Sequence, residues 1–382
     1  MKFLRLIFRN ATRNKRRAIL TVLSISIAIV AISVLNTIVY AINAGVEMAD
    51  ESRLVMRNAI SIIFPLPLSY RTRIAGVQGV KSVSLGNWFG GIYQDKKNFF
   101  AKFAVDAETY FPMYPEFRIP PGEYQEFLKD RKGCVVGKKL AAKYGFKVGD
   151  TVPVMGDIYP GDWEFNVRAI YEGTRKGADE TMLVFHWKYL DESLPRRRQG
   201  QVGFYMIQLA NPWDAGRVAK ALDSEFENSP DQSLTETEKA FQTEFVKMMG
   251  NIELMVRSIG GAVVFAILLV AANTMAMAAR ERTTEIAILK TIGFRSSQLA
   301  CLVAAEGFVL TLAGWLVGCG ITWGVCKFVE ANFSTFLPSF PLKLQTILLA
   351  LAVALFTGLV SVLFPAAHAA RTSIVQGMRE VA

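Results

Sequence analysis

The chain has 382 residues, 52% of them hydrophobic and 20% charged, with a formal net charge of +10 and a mean hydropathy of +0.27. A basic excess of this size could signal nucleic acid, but its placement excludes that: residues 1–17 carry +7, residues 18–255 carry −1 and residues 256–382 carry +4. The positive charge flanks long uncharged stretches, where it sets membrane topology, and the large central portion is close to neutral.

Residues 1–17 read as an interfacial amphipathic segment. Phe3, Leu4, Ile7, Phe8 and Ala11 share one face of a helix over Met1 to Asn14, while Lys2, Arg5, Arg9 and Arg13 occupy much of the other. Residues 18–45 carry no charged side chain and form the first transmembrane helix; the basic region and apolar run are too long for a cleaved signal, so the segment reads as an anchor. Residues 256–279, 299–326 and 344–367 are the second, third and fourth spans, and Glu306 is the one acid inside any of them. The cations of residues 1–17, with Arg280, Arg282, Lys290 and Arg295 between the second and third spans, put both termini and residues 280–298 in the cytoplasm. Residues 46–255 and the short loop 327–343 then lie outside, and residues 368–382 form a cytoplasmic tail. Only Cys134 falls in the exported portion, which therefore must be stable without an internal disulfide.

The exported region mixes two periods. Ala59 to Phe64, Lys81 to Leu85, Phe99 to Val105, Thr151 to Val154, Phe165 to Tyr171, Met182 to Phe185 and Phe204 to Leu209 read as strands. Leu68 to Ala75, Gly122 to Lys132, Lys138 to Tyr144 and Trp213 to Asn228 read as helices, giving an α+β domain inserted between helices 1 and 2. Pro112, Pro115, Pro120 and Pro121 suggest a subdomain boundary. Gly45 to Asn58 and Phe241 to Arg257 read as paired helical stalks that carry motion out of the membrane.

Little in the chain suggests chemistry. Gly133 to Lys139 (GCVVGKK) has one residue too few between its glycines for a phosphate-binding loop and lacks the hydroxyl residue after the lysine. His186 sits in an apolar run, far from His368 and from any cysteine cluster, which disfavours a zinc site. Arg196, Arg197 and Arg198 read as a solvated basic loop. In the third span Gly314/Gly318 and Gly320/Gly324 are small-xxx-small pairs that allow close helix packing, and Glu306 reads as an interface carboxylate or, more sharply, a substrate or proton site. Residues 280–293 alternate Arg280, Glu281, Arg282, Glu285 and Lys290 with Ile286, Ile288, Leu289 and Ile292. A helix this short, apolar on one face, needs a membrane surface or a partner's groove to cover it.

The run from Asn273 to Gly293 (NTMAMAARERTTEIAILKTIG) resembles the signature of MacB/FtsX-type ABC transporter permeases, although Ala287 stands where a glycine is common. The resemblance continues through Glu306-Gly307, the glycine-rich third span and Pro365, and through CVVGKKLAAKYGFKVGDTVPV and FNVRAIYEG in the exported domain. It implies a type VII, permease-only subunit that binds no cofactor itself, with ATP and magnesium held by a partner ABC ATPase dimer. Arg280, Glu281, Arg282, Thr283, Glu285, Ile286, Leu289, Lys290 and Gly293 would form the ATPase-coupling helix. A second permease copy or a related permease would complete the membrane part in the inner membrane, and an adaptor with an outer-membrane channel would suit an exporter. The cargo would be a drug, peptide or lipid-linked molecule moved by mechanotransmission; alternatives are lipoprotein release and a non-transporting scaffold or sensor.

Overall fold

The computed structural model describes residues 8, 9, 11–175, 178–248, 251–281, 283–332 and 340–371. Residues 1–7 and 10 of the expected amphipathic segment, Arg282 of the connector and residues 372–382 of the tail lie outside that set. The chain divides into two compact units, one of residues 1–40, 251–329 and 340–382, the other of residues 41–250 and 330–339.

The first helix, α1 (Lys15–Met48), is followed by the strands and helices of the inserted domain: β1 (Arg53–Asn58), β2 (Leu66–Pro67), α2 (Tyr70–Gly76), β3 (Val80–Trp88), β4 (Lys102–Val105), α3 (Tyr110–Met113), β5 (Phe117–Arg118), α4 (Pro121–Lys129), β6 (Gly133–Gly137), α5 (Lys138–Tyr144), β7 (Thr151–Gly156), β8 (Gly161–Gly173), β9 (Leu183–His186), α6 (Trp187–Ser193), β10 (Gln201–Val202), β11 (Phe204–Leu209), α7 (Ala215–Phe226), β12 (Ser233–Thr237) and α8 (Glu238–Met248). One 10-stranded sheet runs β12-β1-β11-β3-β4-β9-β6-β8-β5, with β7 on β8, and β2 and β10 make a small ribbon.

Both faces of this sheet are covered, and strand alternation sorts the core into two layers. Leu183 and Phe185 of β9, Cys134 and Val136 of β6, and Tyr205 and Ile207 of β11 face a layer closed by Ile74, Leu140, Trp187, Leu190, Val218, Leu222 and Phe226 of α2, α5, α6 and α7. Val184, Val135 and Met206, the residues between them, face a layer closed by Tyr110, Phe111 and Met113 of α3 and Phe127 of α4. A register shift between Cys134 and Val135 against β8 makes that strand change faces midway. Trp163, Phe165 and Val167 belong to the first layer, Ala169 and Tyr171 to the second.

Three expectations are corrected. The proline-rich stretch is no boundary: Pro112 lies within α3, Pro121 opens α4, and both helices pack on one face of the continuous sheet. Ala59 to Phe64 is an irregular loop with Ile60 and Ile63 79% and 86% exposed. The outgoing stalk is also absent: α1 ends at Met48, and Leu54 and Val55 belong to β1, which pairs antiparallel with β12. The chain therefore enters this domain on a strand bonded to β12, whose ladder satisfies backbone groups that a short polar helix would leave to water, whereas the returning segment is helical in α8 up to Met248.

In the other unit, α1, α9 (Ile252–Glu281), α11 (Ser296–Asn332) and α12 (Leu344–Arg371) are, among the described residues, the four helices long and apolar enough to cross a membrane. The short α10 (Thr283–Thr291) connects α9 to α11. Ile25 and Ile29 of α1, Ala350 and Ala354 of α12, Ile267 of α9 and Trp315 of α11 form their common core.

Candidate functional site

The connector α10 is built by its own termini. Gly293 has φ +104°, a conformation that costs glycine little, and ends the helix. The Gly293 amide donates to the Lys290 carbonyl at 3.1 Å and the Phe294 amide to the Leu289 carbonyl at 3.1 Å. These two bonds form the Schellman stop, and Leu289 and Phe294 both pack against the Ile286–Leu299 cluster beside it. Two residues later α11 starts, with the Arg295 amide donating to Gln298 Oε1 at 2.9 Å as an N-terminal cap.

This turn folds the connector onto the first residues of α11, which covers part of the apolar face expected to need a partner. Ile286 is 5% exposed, buried against Leu299 and flanked by Leu289, Phe294 and Val303. The opposite side is open: Ile288 is 46% and Ile292 71% exposed, with Thr291 and Arg295 exposed beside them. Ile288, Thr291 and Ile292 lie at i, i+3 and i+4 and form one exposed strip at the end of the helix, and Arg295 is exposed just beyond the Gly293 turn.

The acids of the connector region are bound to the N-terminal segment of the same unit. Arg17 Nη1 meets Glu281 Oε2 at 2.7 Å and Arg13 Nη1 meets Glu285 Oε1 at 2.6 Å. Arg280 is exposed, with its carbonyl accepting from Thr283 Oγ1 at 2.7 Å, and Lys290 is partly exposed. Between these elements lies a cavity of about 80 Å³ lined by Ala11, Arg17, Thr21, Met275, Glu285 and Glu306 among others. It has space for a few water molecules. The sequence offered no hint that Arg13 and Arg17 reach the connector, because their partners lie more than 260 residues away.

The glycines of α11 divide. A Cβ on Gly314 would lie 2.6 Å from Ile25 Cγ2, and one on Gly318 2.7 Å from Ile29 Cβ, so this pair lets α1 approach. Ser26 Oγ donates to the Gly314 carbonyl at 3.1 Å across the same contact. Gly320 and Gly324 meet nothing within 4 Å.

The inserted domain holds a second junction that sequence reading missed. Arg53, the first residue of β1, is 2% exposed. Its Nε donates to Glu238 Oε2 at 2.7 Å, its Nη2 to Glu116 Oε1 at 2.7 Å and its Nη1 to the Met113 carbonyl at 3.2 Å, with the Tyr114 ring 4.2 Å away. Burial opposes its charge, but the Glu238 and Glu116 carboxylates outweigh that and hold the guanidinium above its ordinary range. Glu238 also accepts from the Asp50 amide at 3.1 Å. One buried arginine thus ties the entering chain at Asp50 and Arg53 to the leaving chain at Glu238. The only sequence cue was an arginine among apolar strand residues.

The remaining candidates take structural roles. Gly133–Gly137 is a buried strand, with no loop that could cradle a phosphate. Arg196–Arg198 is a single 3₁₀ turn whose Arg196 and Arg197 are exposed. His186 is buried at the end of β9, where burial lowers its pKa.

Two family models match the chain: the MacB-like periplasmic core domain over residues 18–225 and the FtsX-like permease C-terminal over residues 257–374. The chain belongs to the MacB/FtsX type of ABC transporter permeases. An uncharacterized ABC transporter permease of Methanocaldococcus jannaschii is 23% identical, covering 97% of this chain and 96% of its own length. The lipoprotein-releasing system transmembrane protein LolC of Neisseria meningitidis is 23% identical over 69% of this chain and 68% of its own. Among solved structures, the periplasmic region of MacB from Actinobacillus actinomycetemcomitans aligns with a TM-score of 0.38 at 10% identity, covering 53% of this chain and 97% of that one.

Proposed function

We propose that this permease is the membrane subunit of an ABC system in which a separate ATPase docks on the outward strip of α10, Ile288, Thr291 and Ile292 with Arg295, and moves the inserted domain on the other side of the bilayer. The observation that carries the reading is that Ile286 and Leu289 are spent on fastening the connector to α11, while two isoleucines remain exposed beside them. A rigidly held helix with a free apolar strip is suited to a partner's groove. The flanking cations favour the cytoplasm for this connector and both termini, and the inserted domain is then periplasmic. No residue of the chain is assigned a catalytic role; ATP and magnesium belong to the partner. A second copy or a related permease completes the membrane part, and the cargo is a drug, peptide or lipid-linked molecule passed outward.

Lipoprotein release is the second reading, favoured by the likeness to LolC over two thirds of the chain. Purification of the tagged full chain from its own cells tests the shared part. An ABC ATPase whose turnover rises several-fold with the permease supports it, and a permease recovered without any such ATPase removes it.

A further inference from the structure

The inserted domain contains a crevice that the permease reading does not use. Strands β4 and β9 are parallel neighbours, with Val105 opposite His186 at their carboxyl ends. From there the chain leaves in opposite directions: β4 leads to α3, packed on one face of the sheet, and β9 leads to α6, packed on the other. Such a divergence of adjacent parallel strands opens a cleft at their carboxyl ends, which is where open α/β sheets bind ligands. The cleft here has a volume of about 400 Å³. Its floor is apolar, from Leu85, Val105, Leu128 and Trp187.

Its charged lining is Arg71, Lys129, Arg131 and Lys188 with Asp106 and Glu108. Lys129 is taken by Glu126 at 2.8 Å, and Glu108 is the carboxylate a bound anion must avoid. Asp106 is committed, since it accepts from Arg71 at 2.5 Å and from Thr109 at 2.9 Å. Arg131 meets Glu192 at 3.0 Å in a solvent-exposed pair, which exchanges at small cost, and Lys188 is exposed with no ion pair among the described residues. His186 lines the cleft and is 6% exposed. Its Nε2 lies 2.7 Å from the Phe127 carbonyl, which can only accept, so that nitrogen carries the proton. Nδ1 is then a hydrogen-bond acceptor without a partner among the described residues, and it does not cap its own helix.

We infer that this crevice binds a carboxylate carried next to an amide N–H on a compact apolar body, the chemistry of an N-acylated amino acid or of a peptide's carboxyl end. Lys188 and Arg131 face the carboxylate, His186 Nδ1 accepts from the amide, and the side chain rests on Leu128 and Trp187. The inference concerns the domain alone and does not depend on the ATPase assignment.

Calorimetric titration of the full chain in detergent tests it with four probes: N-acetyl-L-leucine, its amide, 4-methylpentanoate and inorganic phosphate. N-acetyl-L-leucine should bind saturably with Kd on the order of 1 mM, as expected for a ligand of this size. The amide lacks the carboxylate and 4-methylpentanoate lacks the N–H, and each should bind at least about tenfold more weakly. The double variant Arg131→Glu with Lys188→Glu changes exposed side chains, so it should keep the wild-type melting temperature and lose at least about tenfold in affinity. A leucine-terminated tetrapeptide that binds more tightly than N-acetyl-L-leucine identifies a peptide end, and one that is excluded identifies a free acylated amino acid; both support the shared chemistry. Equal binding of acid and amide, phosphate binding tighter than N-acetyl-L-leucine, undiminished binding by the charge-reversed variant, or no saturable binding overturns the inference.

Discussion

The chain joins its N-terminal side to the region around its second span twice with arginine–glutamate contacts, and the two junctions differ in solvent. In the membrane-type unit, Arg13–Glu285 and Arg17–Glu281 are open, with side-chain exposures of 62%/44% and 17%/58%. In the inserted domain, Arg53 meets Glu116 and Glu238 at exposures of 3%/12% and 3%/11%. Open pairs are weak, screened by salt and easily exchanged, whereas a buried arginine with both carboxylates matched is rigid and severe to break. A junction that must yield to a docking partner suits the first kind; one that must hold two chain crossings in register suits the second.

Breaking the buried junction should have the largest effect. Arg53→Met leaves Glu116 and Glu238 without their cation and should destabilise the inserted domain by about 3–5 kcal/mol, read as a lower urea midpoint. A loss under ~1 kcal/mol would remove the contrast. Next in size is close helix packing. Gly318→Leu must displace Ile29 and should cost about 1–3 kcal/mol in detergent unfolding, while Gly320→Leu, which meets nothing, should stay within ~0.5 kcal/mol. Equal costs would show that the α1–α11 contact is not specific.

A pH test sharpens the picture of the rigid domain. Lys102 is fully buried, its Nζ donating to the Gly91 carbonyl at 3.0 Å and the Phe100 carbonyl at 3.1 Å, and burial lowers its pKa to about 8. The unfolded chain keeps this proton up to its ordinary value of 10.5, so between about pH 8 and 10.5 it binds more protons than the folded chain. Stability should therefore rise with pH across that window, by roughly 1–3 kcal/mol, and Lys102→Met should abolish the rise. A falling or flat wild-type contribution would contradict this. Smallest is the open junction: Glu285→Gln should change stability by less than ~1 kcal/mol, with the difference vanishing in 1 M salt.

The spans were legible because about 20 consecutive apolar residues have few other uses. Phe204–Leu209 and Lys138–Tyr144 were readable to the residue, since β-branched and aromatic alternation in one and a glycine stop at Gly145 in the other are strong local signals. β1 was not: Asp50 and Ser52 do turn the chain just before it, but RLVMRN continues a helical-looking stretch, and its strand state is imposed by pairing with β11 and β12. The run AISIIF misled in the other direction: its composition favours a strand, but it follows β1 beyond the last pairing at Asn58 and remains exposed. At the connector, periodicity correctly marked a two-faced helix, yet which face is free depends on the turn at Gly293 and on Leu299, a tertiary contact that no helical wheel contains.

The claim that α10 receives the ATPase through its outward strip is tested most directly by co-purification of the permease with its cognate ATPase after Ile288→Asp with Ile292→Asp, alongside Arg196→Glu with Arg197→Glu as a control on the inserted domain. The account predicts at least about a tenfold loss of bound ATPase for the isoleucine variant, with membrane insertion and melting temperature unchanged, and full recovery for the control. Undiminished ATPase recovery with both isoleucines replaced would contradict it.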